Sequence, residues 1–165
     1  MRRLVVTSMV LALAASVAGC GKSSTDTQTS GPPATPPAPA PTLEEMKARQ
    51  AAIPAPYNAA DLANGQAKFA LCASCHTIAP GGPNLTGPNL HDIVGRKAGE
   101  IAKYNYSEAL KASGFTWDAA HLDPWLANPR TMLPGTKMSF VGLRDPKDRT
   151  DMIAYMMVNS APKAP

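Results

Sequence analysis

The sequence predicts one small all-α domain behind a leader that cannot pack. Three observations carry this. Eight of the 17 prolines lie before residue 57, and six of them fall in the run 31–41. Behind them, helix start and stop signals recur: Asn58 as an N-cap, Ser107 ahead of a run ending near Gly114, and the Asp145-Pro146 pair. The chain holds only nine aromatic residues, so something besides side chains must help fill the core.

Composition excludes several classes. At 165 residues the chain is too short for a multidomain machine, and it has no run suited to a bundle of membrane spans. Its net charge of +4 includes Arg2 and Arg3, which sit in a segment expected to be removed. From Tyr57 onward there are 11 Lys+Arg and 9 Asp+Glu, leaving +2 and no nucleic-acid footprint. Three cysteines (Cys20, Cys72, Cys75) cannot all pair within one chain and have separate jobs.

The leader reads as an address and a tether. Arg2 and Arg3 precede an apolar run from Leu4 to Ala18, long enough for a signal-peptide core and too short for a span. Val17-Ala18-Gly19-Cys20 resembles a bacterial lipobox, with residues 1–19 as signal peptide and Cys20 as the lipidated new N-terminus. Residues 20–56 then form the linker. Its GKSSTDTQTSGPPATPPAPAP part lacks apolar residues to offset the entropy of ordering and favours polyproline II. At roughly 3.1 Å per residue, residues 21–55 would reach about 110 Å extended, or about 30–35 Å as a coil. Thr42 to Glu45 has capping-box spacing for a short helix that Pro54 and Pro56 would end.

Residues 57–165 carry the chemistry. Cys72-Ala-Ser-Cys75-His76 is a CXXCH motif. Two thiols three residues apart on one turn can each add to a vinyl group of one haem, and the next residue then lies under the iron. A thioredoxin-like motif would need a βαβ setting. A zinc site would need a second ligand pair, and His91 and His121 are thirty residues apart. The motif therefore points to one covalent haem c, attached outside the cytoplasm, and the haem supplies the missing core. For the sixth ligand, His91, His121, Met132, Met152, Met156 and Met157 compete with Met138. The Pro134-Gly135 loop favours Met138, because a loop can carry a thioether across the haem face.

The remaining elements follow in order. A helix is expected over 59–73. The stretch 77–103 is mostly loop, and a short helix covers 107–112. A helix over 122–127 has Pro124 in its first turn. A last helix from Asp145-Pro146 runs to about Asn159, with its methionines as core.

Four blocks in order, FALCASCHTIAPGGPNLTGPNLHDIVGRKAG, YNYSEALKASGFTWD, WLANPRTMLPGTKMSF and DMIAY, resemble a class I cytochrome c from about Asp61 to Ser160. The resemblance implies the small cytochrome c fold, with Cys72 and Cys75 holding the haem and His76 and Met138 axial. It gives Pro88 the far nitrogen of His76, and gives Arg96, Tyr106, Trp117 and Thr136 the propionate side. It also implies that Gly65 and Phe69 cross Tyr155, and that Phe140 lies beside the haem edge. Trp125 and Leu110 depart from the family's common Tyr and Asn, altering polarity near the iron. Leu71 and Met132 thin the ring of lysines that steers many relatives, leaving Lys97, Arg130 and Lys137.

With both axial positions filled by protein, the expected function is one-electron transfer rather than catalysis. The expected protein is a lipid-anchored, monomeric carrier on the periplasmic side of a bacterial membrane. Its donor would be a cytochrome bc-type complex. Its acceptor would be a haem–copper oxidase, a denitrification enzyme or a photosynthetic reaction centre. The alternative is a haem-based gas sensor or ligand-binding module with a labile Met138.

Overall fold

Helix α6, Pro146–Ser160, is the element on which the others pack. It is opened by Asp145, whose Oδ1 accepts from the Lys147 amide at 2.8 Å, with Pro146 in the first turn where its missing N–H costs nothing. Residues 151–159 are all buried, so α6 is covered on every face over that stretch. The structure, a computed structural model, describes residues 41–160. The expected signal peptide, the lipidated Cys20 and most of the linker lie outside the described residues.

Helix α1 spans Leu43–Gln50 and closes the capping box read from the sequence: the Glu45 amide donates to Thr42 Oγ1 and the Thr42 amide to Glu45 Oε2. The expectation that residues up to 56 belong to the linker needs correction. Met46 is buried, Arg49 Nη1 donates to the Val158 carbonyl at 3.0 Å, and Gln50 Nε2 donates to the carbonyls of Tyr57 and Ala60. An exposed-looking segment thus docks with Met46 buried, Arg49 bonded to α6 and Gln50 bonded to the 57–60 segment, tertiary contacts that local composition does not announce.

Helix α2 spans Leu62–Phe69, shorter than the expected 59–73. Asn58 sits in a 3₁₀ turn over Tyr57–Ala59, and Asp61 is the cap instead, its carboxylate accepting from the amides of Ala63 and Asn64 at 3.0 Å each. As the resemblance implied, Gly65 lies at the crossing with α6. A Cβ there would stand 2.2 Å from the Asp151 carbonyl oxygen, and the rings of Phe69 and Tyr155 are 5.7 Å apart. Asp151 is buried at the same crossing. It accepts from the Asp61 amide, Asn64 Nδ2 and Lys147 Nζ, so its charge is paired as burial demands.

Residues 77–106 are loop, stitched to the later chain by one isolated antiparallel bridge, Lys97 to Thr116. Helix α3, Glu108–Ala112, is capped by Ser107 as expected. Helix α4, Ala119–Ala127, starts earlier than expected because the Asp118 carboxylate caps it. Pro124 is therefore in its interior and removes one helical hydrogen bond there. Helix α5, Pro129–Met132, was not anticipated; Asn128 caps it and it holds Met132. Arg149 Nε donates to Asp123 Oδ1 at 2.7 Å and ties α6 to α4.

Candidate functional site: the cavity behind the CXXCH turn

The turn that follows α2 carries the motif. The Cys72 amide donates to the Phe69 carbonyl at 2.8 Å, and the amides of Cys75 and His76 donate to the Cys72 carbonyl at 3.0 and 2.9 Å. Both sulfurs and the imidazole therefore come from one tightly wound segment, and Cys72, Cys75 and His76 line a single cavity.

His76 is oriented from two sides. Its Nδ1 lies 2.7 Å from the Pro88 carbonyl oxygen, which can only accept, so Nδ1 is the protonated nitrogen. Gly87 lies against the ring face: a Cβ there would be 2.2 Å from Cε1. The Tyr104 hydroxyl donates to the Thr86 carbonyl and holds that loop. Burial pushes the imidazole's pKa down, partly opposed by the Pro88 bond, so the ring is neutral with Nε2 left as a lone-pair donor.

Burial, with a smaller push from Cys75, raises the Cys72 thiol to about 11, so the buried sulfur favours its uncharged form. Among the described residues no group of three His, Cys, Asp or Glu is placed to hold a metal ion by itself.

The rest of the lining comes from distant chain. Met138 and Thr136 line the cavity from the loop after α5, and Met156 lines it from α6. The other expected competitors do not reach it. His91 Nε2 faces Asp92 at 3.3 Å, His121 stacks on Phe115 with Nδ1 2.7 Å from Asp118, and Met132 lies on α5. Tyr106, Trp117, Trp125 and Leu110 complete a largely apolar wall, and Trp117 and Trp125 meet edge to face at 5.1 Å.

Arg96 stands outside the lining, unlike its expected companions Tyr106, Trp117 and Thr136. Its guanidinium donates to the carbonyls of His91 and Asn89 at 3.1 and 3.0 Å. Of the expected steering cations, Lys137 is tied down, its ammonium bonded to the 105–106 segment. Leu71, at the rim, is 59% exposed. Sequence reasoning missed Gly87, Tyr104 and the Lys137 bonds. Gly87, next to Pro88, was readable as a close-approach position; the other two left no local signal.

The residues fit a flat apolar macrocycle: two cysteines on one turn, with a neutral imidazole and a thioether lining the same largely apolar cavity. A family model described as Cytochrome c matches residues 62–160. Cytochrome c2 of Rhodomicrobium vannielii is 47% identical over 100 residues, covering 61% of this chain and 80% of its own length. Cytochrome c of Kluyveromyces lactis is 41% identical over 106 residues, covering 64% and 96%. Among solved structures, cytochrome cH from Methylobacterium extorquens is 49% identical with a TM-score of 0.55, covering 58% of this chain and 96% of that one.

Proposed function

Since the chain belongs to the cytochrome c family of electron carriers, which hold one covalent haem c between a histidine and a methionine, we infer that Cys72 and Cys75 form the two thioethers here and that His76 and Met138 are the axial ligands. The observation that carries this is that His76 and Met138 open on the same cavity, with His76 Nδ1 committed to Pro88. The haem, when bound, supplies a one-electron couple at iron. The protein's own work is to keep that couple buried and coordinatively closed. Pro88 fixes the imidazole's tautomer, and the thioether adds no charge. The apolar wall of Leu110, Trp117, Trp125 and Met156 disfavours the extra positive charge of the oxidised state and raises the potential. Tyr106, Trp117 and Thr136, which line the cavity, would hold the propionates, and Arg96, bonded to the carbonyls of Asn89 and His91, would brace the 89–91 segment.

The setting we infer is a carrier anchored by lipid at Cys20 on the periplasmic side of a bacterial membrane. It would pass single electrons from a cytochrome bc-type complex to a haem–copper oxidase, denitrification enzyme or reaction centre. No helix among the described residues is long and apolar enough to cross a membrane. Because α1 docks on the domain, the tether we infer is the shorter segment from Gly21 to Ala40. Such a tether restricts the domain to a shell near the surface, so that effective concentration replaces part of the electrostatic capture that a thin ring of cations would provide.

Two experiments test this reading. Met138→Ala should abolish the methionine–iron absorption band and admit carbon monoxide promptly to the reduced protein, whereas the parent stays closed; an unchanged spectrum would remove Met138 from the iron. Cys20→Ser should leave the protein in the soluble fraction, and the soluble form should be oxidised by isolated membranes more slowly than the anchored one. Equal rates at matched concentration would refute the tether.

A further inference from the structure

We propose that the rim of the cavity is an apolar docking face for a redox protein whose own contact face is apolar, rather than for one that presents a cluster of carboxylates. The proposal rests on the haem occupying the cavity and names the chemistry of what meets it there. Among the described residues, four large apolar side chains are exposed: Leu43, Leu71, Leu85 and Val141. A single exposed leucine is ordinary on any surface. Here three of the four gather at one place. Leu71 lines the cavity while 59% exposed, Leu85 directly precedes the lining residues Thr86 and Gly87, and Val141, 90% exposed, directly follows the lining Phe140.

The segments that present these side chains are held by the backbone. The Leu71 amide donates to the Lys68 carbonyl at 3.1 Å, and the Leu85 amide to the Gly87 carbonyl at 2.8 Å. After Val141 the chain is pressed onto α4. A Cβ at Gly142 would stand 1.9 Å from the Ala127 carbonyl oxygen, and the Leu143 amide donates to the Leu126 carbonyl at 2.8 Å. A face fixed in advance loses little freedom when a partner covers it.

Charge around the rim is sparse. Among the described residues that line the cavity, Lys137 is the one charged side chain, and its ammonium is already bonded to Asn105 and Tyr106. Arg130 shares a shallow neighbouring hollow with Phe140 and Val141, and donates to Ser139 Oγ at 3.3 Å. No Asp or Glu lines either hollow. Apolar side chains at the centre with polar Asn128, Thr131 and Ser139 at the edge are the anatomy of a small interface. Three aliphatic side chains offer roughly 200–350 Å² to bury. A stable complex needs about 800 Å² per partner, so the face suits a brief redox encounter and not a lasting dimer of this chain.

The test uses the haem-loaded full chain carrying Cys20→Ser, so that encounter is bimolecular, and follows its oxidation by isolated membranes. Leu85→Ser and Val141→Ser should each lower the second-order rate about five- to tenfold, the scale of one aliphatic side chain left unburied. Oxidation by ferricyanide, which needs no docking face, should be unchanged in both. The parent's rate should fall no more than about threefold between about 0.01 M and about 0.5 M salt, because two cations alone remain at the edge of the face. Val141→Lys should be slowed as Val141→Ser is.

Parent-like rates in both serine variants would overturn the proposal. So would a steeper fall of the parent with salt, or a Val141→Lys variant that is faster and newly salt-sensitive, since each marks a partner rich in carboxylates. A concentration-dependent dimer abolished by the serines would give the face to a second copy, and binding to phosphatidylcholine vesicles abolished by them would give it to lipid; either result overturns the proposal. The pyridine haemochrome spectrum of each protein reports the covalent haem separately. A protein without that spectrum fails the reading of the site, whereas a coloured one with parent-like rates fails the docking face alone.

Discussion

Gly87 lies flat against the imidazole of His76, with room for no more than hydrogen: a Cβ at 87 would stand 2.2 Å from Cε1, 2.5 Å from Nδ1 and 2.6 Å from Nε2. The carbonyl of the residue that follows, Pro88, accepts a hydrogen bond from Nδ1–H at 2.7 Å. Two consecutive residues therefore set the ring's plane and its tautomer. Gly87→Ala must push the ring or the loop away, at a cost of about 1–3 kcal/mol for overpacking. The expected result is a lower denaturation midpoint together with an altered iron–histidine signature in the resonance Raman spectrum. A parent-like spectrum would mean that the ring is not wedged.

Gly65→Ala makes the sharper prediction, because propensity and packing disagree. In a helix, alanine gains about 1 kcal/mol over glycine. At the α2–α6 crossing its methyl group would meet the Asp151 carbonyl at 2.2 Å and Tyr155 Cβ at 2.9 Å. The backbone cannot yield as a side-chain tip would, so the variant should lose about 1–2 kcal/mol net. Urea unfolding followed by haem absorbance decides the sign. A more stable variant would show that the helices slide apart freely.

Asp151 should make stability depend on pH at the acid end. Burial pushes its pKa up, but the bonds from Lys147, Asn64 and the Asp61 amide outweigh it and leave the carboxyl below its ordinary 3.8. A group whose pKa is lower in the folded state contributes stability above its unfolded value, and that contribution is lost as pH falls through the folded one. Asp151→Asn should therefore be destabilised near neutrality by about 1.5–3 kcal/mol, the scale of hydrogen bonds to a charged group. The gap to the parent should close below pH 3.8. A gap that stays constant on acidification would assign the loss to shape alone.

The docked helix α1 predicts where a soluble form can begin. A chain starting at Pro41 keeps Met46 and the bond from Arg49 to the Val158 carbonyl; one starting at Tyr57 loses both. Burying one methionine side chain is worth about 1.5–3 kcal/mol, partly offset by the entropy of ordering α1. The shorter version should unfold about 1–2 kcal/mol earlier in guanidinium while keeping the parent's haem spectrum. Coincident unfolding curves would make α1 an ornament. The comparison also isolates the tether, since only the version from Pro41 removes it without disturbing the domain.

Several elements were legible because their cause is local. The CXXCH turn, the Thr42 capping box, the Ser107 cap and the Asp145-Pro146 start each need only neighbours a few residues away. The sequence also carried Pro88 and Met138, through a resemblance in ordered blocks. Less legible were the boundaries set by competition. Asn58 and Asp61 are both good caps, and the 3₁₀ turn after Pro56 decided for Asp61. Pro124 reads as a helix start until Asp118, six residues earlier, is seen to cap the same helix.

By itself, the order of residues determined the motif on which our reading rests: two cysteines and a histidine on one turn, because CXXCH is complete within five consecutive positions. Only the tertiary structure decided what surrounds them. It set Arg96 behind the cavity wall, turned Lys137 inward to the 105–106 segment, and brought α1 onto α6. The physical reason is that each of these placements balances long-range burial and hydrogen bonding between parts of the chain that carry no mark of one another.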